Sequence, residues 1–426
     1  MELKAYLNII KEKKKQDFFI YGIGQAFNLI SPLLVIPYIV SVCNTEGIGK
    51  AGLGFNMALF LILIVDYAFE IKGPKEVSEN RNNFQKLQEI ANTTFVYKFL
   101  IFIMVAIVTS AVIYWVPFFT KEKELYFFSM VIVFAQVFNP AWFLQGIENF
   151  RLVSVLNIAS KISYMILVYV IIKHKGDYIY VNLLLGGSTL VFNVMGLLYI
   201  KNKYAIKAAM PALTEFVALL KADFSFCISQ LFLSARQVSP LFIISSFLGA
   251  NIGGQYRIIE TVTNMFRTFL QVFLRFFYPS VCYKISKNVR EGFNFWKKYT
   301  IACISLMCAV VVLMYTFSTH ILVFFKVSEH DIITLNPYFR FAMIIPLLMS
   351  LSYPLEQLMF AVNKNKAYVT ITIIVTIISI LLLICLVNFY GIGGGIASLL
   401  IAEALCAGLY FKYSYLFITK RTRLEI

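Results

Sequence analysis

Residues 367–416 read AYVTITIIVTIISILLLICLVNFYGIGGGIASLLIAEALCAGLYFKYSYL. No charge interrupts the stretch from Ala367 to Tyr390. A glycine-rich turn follows, and the next apolar run admits only Glu403 and Lys412. At 1.5 Å rise per residue, about 20 apolar residues cross the roughly 30 Å of hydrocarbon in a bilayer. The stretch therefore reads as two consecutive membrane crossings, 367–389 and 393–416, joined by a short turn.

The same pattern recurs towards the N-terminus. Apolar runs between charged or turn-rich breaks fall at 18–42, 50–70, 92–116, 125–147, 152–172 and 178–200. After a polar link they resume at 223–249, 256–281, 299–325 and 336–362. With the opening pair this makes about 12 crossings, so the expected fold class is an all-α integral membrane protein. Composition agrees: of 426 residues, 60% are hydrophobic and 14% charged, against about 45–50% and 25% in a soluble domain. The expected organisation is a cytoplasmic N-terminal tail (1–17), a six-helix bundle (18–200), a cytoplasmic linker (201–222), a second six-helix bundle (223–416) and a cytoplasmic tail (417–426). The N-terminus, MELKAYLNIIKEKKKQDF, is too polar for a secretory signal, and the first apolar run reads as a retained helix.

Orientation follows the distribution of lysine and arginine in the loops. With both termini in the cytoplasm, the inner segments hold 25 of these residues and the outer loops 7. The net charge of +16 is then a topology signal, and no nucleic-acid partner is expected, since the charge does not gather on one soluble face. Trp115, Trp142 and Trp296 fall near span ends, where aromatic belts form. The longer inner links 71–91, 201–221 and 282–298 are expected to hold short interfacial helices.

No outer loop exceeds about a dozen residues, which leaves no room for an external catalytic domain, and the chain is not expected to be an enzyme. The seven cysteines form no Cys-x-x-Cys pair, the three histidines stand apart, and neither a metal site nor a disulfide framework is expected. No cofactor is expected beyond a proton or sodium counter-ion.

Ser31-Pro32-Leu33 and Ser239-Pro240-Leu241 each open a proline-broken apolar run, 208 residues apart. An even number of crossings separates them, as in a parallel repeat of two bundles.

Charge inside the spans points to function. A charged side chain at a helix centre costs roughly 2.5–3.5 kcal/mol on the insertion scale, and such residues by default line a pathway or find a partner. Lys161, Arg236, Arg267 and Arg275 fall well inside spans. In the eighth span Glu260, Asn264, Arg267, Gln271 and Arg275 share one stripe about 80° wide at 3.6 residues per turn. A cationic lumen of Arg267, Arg275, Arg236 and Lys161, with Asn264 and Gln271 beside them, would attract an anionic substrate. The competing reading is internal pairing, Glu260 with Arg267 or Glu356 with Arg236. Glu356, Glu403 and Glu260 are the candidates for ion coupling. Arg340 and Lys98 lie nearer span ends and read as snorkelling side chains; Asp66 and Glu70 read as interfacial.

Several local stretches carry a family likeness: PYIVSVCNTEGIGKAG from Pro37, DYAFEIKGPKEVSENR at 66–81, WFLQGIE at 142–148, GGQY at 253–256 and Tyr278-Pro279-Ser280. In these and in layout the chain resembles the polysaccharide-transporter branch of the multidrug/oligosaccharidyl-lipid/polysaccharide exporter superfamily, and within it the Wzx-type O-antigen flippases. The resemblance implies a V-shaped, MATE-like fold of two six-helix bundles in a bacterial inner membrane. It also implies alternating access, an oligosaccharide repeat on undecaprenyl pyrophosphate as substrate, and an O-antigen polymerase and chain-length regulator as partners. Two departures stand out: CNTEGIG where the branch commonly has LGPEGFG, and Arg236 where many relatives are neutral or acidic. The rival readings are a drug/cation antiporter of the same fold, which would want an acidic or aromatic cavity, and a structural scaffold of a polysaccharide assembly complex, which would not need deep basic residues on one helical face.

Overall fold

In the computed structural model, residues 2–67, 69–204, 213–362 and 364–422 are described. The linker residues 205–212, the last tail residues 423–426 and the side chain of Arg275 lie outside them. Among the described residues the chain is helical, with no strand. It divides into two compact units, Met1–Leu231 and Phe232–Ile426.

The first unit contains α1 (Glu2–Asp66), α2 (Phe69–Glu79), α3 (Phe84–Trp115), α4 (Pro117–Thr120), α5 (Lys123–Val137), α6 (Ala141–Gly146), α7 (Phe150–Ile171), a 3₁₀ turn (Lys175–Tyr180) and α8 (Val181–Tyr204). The chain passes into the second unit along α9 (Leu213–Leu248). There follow α10 (Ala250–Lys287), α11 (Val289–Thr316), α12 (Ser318–Phe324), α13 (Glu329–Ala342), α14 (Ile344–Ala361) and α15 (Asn365–Thr422).

Among the described residues nine helical stretches are long and apolar enough to cross a membrane. Two of them are too long for one crossing. Ile30–Asp66 has 37 residues and Lys366–Ser414 has 49, about 55 and 74 Å at 1.5 Å per residue. Each contains a backbone break. Asn44 adopts φ 60, ψ 177 inside α1, within the expected turn CNTEGIG. Gly391 adopts φ 57, ψ −135 inside α15, between the two expected crossings. Positive φ is open to glycine without a Cβ clash. The expectation of 12 crossings requires α10 as well, whose charges keep it out of the apolar set.

In the first unit α1 packs on α5 and α7, and α5 and α7 on α8. Asn182 of α8 donates to Ala51 O of α1 and to Ser129 Oγ of α5, both at 2.8 Å. Tyr38 donates to Ile172 O at the end of α7, at 2.8 Å. In the second unit α10, α11, α14 and α15 share a core that includes Leu274, Tyr299, Leu358, Val375 and Cys406.

Two expectations about segment ends are corrected. The link 282–298 holds no separate interfacial helix: α10 runs to Lys287, and Asn288 Oδ1 accepts from Glu291 N at 2.9 Å, capping α11 at once. The cap satisfies one of the unpaired N–H groups at the start of α11, so the second helix begins without a spacer. Of the three tryptophans expected in aromatic belts, only Trp115 is exposed, at 83%. Trp142 is fully buried among Val77, Leu87 and Phe143. Trp296 is buried in the second core, its indole N–H donating to Pro354 O at 3.0 Å.

Candidate functional site

In α10, Val262, Phe266, Leu270 and Leu274 recur every four residues and are all buried. This face holds the helix in the second unit. The charged stripe lies on another side, and three of its members, Glu260, Asn264 and Arg267, line a cleft. Arg236 and Gln237 of α9, Met349 of α14 and Glu403 of α15 also line it. The cleft encloses about 20 Å³, room for about one water molecule.

The cleft is mixed in charge: two guanidinium groups and two carboxylates line it. Arg236 Nη2 lies 3.4 Å from Glu403 Oε1, and its Nη1 donates to Cys406 Sγ at 3.0 Å. Glu403 also accepts from Ser352 Oγ at 2.6 Å. Glu260 takes its ion pair from Arg257, one turn earlier, at 2.6 Å. Neither pairing weighed from sequence, Glu260 with Arg267 or Glu356 with Arg236, forms an ion pair among the described residues. Glu356 instead accepts from Tyr368 OH at 2.9 Å, outside the cleft.

Arg267 differs from Arg236. Its Nη1 donates to Asn264 Oδ1 at 2.8 Å. Its Nε is buried with no hydrogen-bond partner, and among the described residues it has no carboxylate within ion-pair distance. A buried donor left unmade costs about 1–3 kcal/mol, more when the group is charged. The site thus carries an unspent cationic group beside a neutral amide.

The remaining sequence candidates separate. Gln271 is exposed on α10 and makes no hydrogen bond among the described residues. Lys161 belongs to the first unit, on α7, partly buried and without a polar partner among the described residues. Arg340 donates from Nε to Ser318 Oγ at 2.9 Å and lies 4.9 Å over the Tyr315 ring.

The first unit also holds a buried charge cluster that the sequence alone does not mark. Lys98 of α3 has no exposed side-chain surface, and its ammonium lies 2.9 Å from Asp66 Oδ1 and 3.0 Å from Glu70 Oε1. Gln136 of α5 donates to Asp66 Oδ2 at 2.8 Å. Lys98 therefore does not snorkel, and Asp66, 5% exposed, is its buried partner. The available signal was three charges whose spans are adjacent in sequence, but a lone Lys near a span end gives no hint of depth.

Residues 15–282 match the family model described as polysaccharide biosynthesis protein. An Escherichia coli (strain K12) protein named "Putative O-antigen transporter" is 22% identical over 416 residues, 96% of this chain and 98% of that protein. A Shigella dysenteriae protein of the same name is 20% identical over 404 residues, 92% and 97% of the two chains. In fold, the chain is similar to an inward-facing multidrug resistance MATE family transporter of the MOP superfamily. The TM-score is 0.70 at 14% identity, with 94% of this chain and 96% of that chain covered. A MOP superfamily transporter from Pyrococcus furiosus is similar with a TM-score of 0.58 at 14% identity, 95% and 94% covered.

Proposed function

Because the chain belongs to the polysaccharide biosynthesis protein family, we propose that it is a flippase for lipid-linked oligosaccharides. It carries O-antigen or related repeat units on undecaprenyl pyrophosphate from the cytoplasmic to the periplasmic leaflet of a bacterial inner membrane, by alternating access. Both termini face the cytoplasm, as the loop charge bias favours. The full-length likeness to proteins named as O-antigen transporters supports the substrate class. The MATE neighbours support the fold and, at 14% identity, nothing about a drug substrate.

The observation that carries the reading is Arg267: a guanidinium in a membrane helix with a buried, unpartnered Nε and, among the described residues, no carboxylate within ion-pair distance. Internal pairing leaves such a group unexplained. A pyrophosphate is a dense anion that guanidinium binds bidentately. Glu403 and Glu356, each hydrogen-bonded to a hydroxyl in the second unit, are the proposed carriers of a coupling proton or sodium ion, and Glu260 is held to its neighbour Arg257. An O-antigen polymerase and a chain-length regulator would act on the delivered unit.

Deletion of the gene in its host tests the reading. Surface polysaccharide should be lost while the undecaprenyl-linked repeat unit accumulates on the inner leaflet, with unchanged drug sensitivity. Unaltered polysaccharide with a new drug sensitivity would favour the antiporter instead.

A further inference from the structure

A second cavity lies wholly within the first unit. It encloses about 300 Å³, the lower end of the range for small-ligand sites, ~300–1,000 Å³. Its polar lining consists largely of carboxamides. No lysine or arginine lines it, and Glu70 is its one acidic residue.

The hydrogen bonds leave much of this lining unspent. Asn139 Oδ1 accepts from Ala141 N at 3.0 Å, which leaves its NH₂ group. Gln136 and Asn193 donate their amide nitrogens to Asp66 and to Ala135 O, at 2.8 and 2.7 Å, which leaves their carbonyl oxygens. The side chains of Gln145 and Asn157 make no hydrogen bond among the described residues. Each bonded amide is thus held by one end while the other is free. Leu144, Val153 and Leu156 supply apolar wall between them.

Carboxamides donate and accept, and so do sugar hydroxyl and acetamido groups. A carboxylate accepts from adjacent hydroxyls, and apolar side chains cover the C–H face of a ring. An anion would find no cation here, and a lipid chain would leave the amides unpaired. We propose that this cavity is a binding site for uncharged sugar residues, the oligosaccharide end of the substrate. The assignment rests on the flippase reading and its orientation: the inner ends of the second, fourth and fifth spans supply Glu70, Asn139, Gln145 and Asn157, and so open the cavity to the leaflet on which repeat units are assembled.

The test is binding to the full-length protein in nanodiscs, titrated with two probes. One is undecaprenyl pyrophosphate; the other is the undecaprenyl-pyrophosphate-linked oligosaccharide that accumulates in cells lacking the gene. The wild type should prefer the sugar-bearing lipid. Asn157→Leu and Gln145→Leu should each weaken that lipid by about tenfold, the loss of well-made hydrogen bonds, and leave bare undecaprenyl pyrophosphate unchanged. Unchanged binding of the bare lipid certifies the fold of each variant. Asn157→Ala, which removes donor and acceptor together in a smaller side chain, carries the same expectation should a leucine variant fail to fold. Variants that keep the wild-type preference would overturn the sugar site and leave the flippase reading standing. A wild type that binds neither lipid would overturn both. Arg267→Gln weakening both lipids alike separates the pyrophosphate contact from the sugar contact.

Discussion

The ammonium of Lys98 sits 2.9 Å from the Asp66 carboxylate with no side-chain surface exposed. Glu70 lies 3.0 Å away on the other side, so one buried cation ties the end of α1 and the start of α2 to the middle of α3. The attraction offsets a large desolvation cost only while both partners are present.

Lys98→Met should therefore destabilise the protein by about 3–5 kcal/mol, because it strands a buried carboxylate. The double variant Lys98→Met, Asp66→Leu removes both charges and should regain most of that loss. Thermal unfolding followed by fluorescence-detected size exclusion measures both. Equal melting of the single and double variants would contradict the pairing.

A Cβ at Gly73 would lie 2.6 Å from Trp142 Cε3, and Trp142 is fully buried. Gly73→Ala should cost about 1–3 kcal/mol through overpacking. Trp142→Phe in the same background should recover part of it, since the smaller ring vacates the contact. The readout is again the melting temperature.

Gly391 at φ 57 turns α15 back within a 49-residue apolar stretch. Gly391→Val should cost about 1–3 kcal/mol of backbone strain. Gly408→Ala, where a Cβ meets nothing within 4 Å, should be neutral or gain up to about 1 kcal/mol of helix propensity. Similar losses for the two would mean that the turn does not depend on positive φ.

Arg236 and Glu403 are partners at 3.4 Å. Glu403→Gln alone leaves a buried guanidinium short of charge and should lower membrane yield. The double variant Arg236→Met, Glu403→Met should restore yield but not surface polysaccharide if Glu403 carries the coupling ion. Restoration of both would make the pair purely structural.

Much of the fold was legible because hydrocarbon demands long apolar runs and turns demand punctuation. The breaks at Asn44 and Gly391 fall where the composition changes. Depth and partnership were not legible. Lys98 looks superficial along the chain because nothing in its own span reveals that Asp66 and Gln136 converge on it. Trp142 and Trp296 stand at span ends in sequence but are covered by Val77 and Pro354, which only packing brings there. Within α10 the stripe was readable from its period, and the Glu260–Arg257 and Arg267–Asn264 bonds were available in principle as i,i+3 spacing. The amide-lined cavity of the first unit escaped because carboxamides carry no charge to mark them inside an apolar run.

The most direct test is surface polysaccharide in gene-deleted cells complemented with Arg267→Gln. The expected result is a fall of about tenfold or more, the loss of one charge-assisted bidentate contact, at wild-type protein level in the membrane, with Arg340→Gln near normal. Full polysaccharide from Arg267→Gln at equal protein level would contradict the assignment of Arg267 to the transported anion.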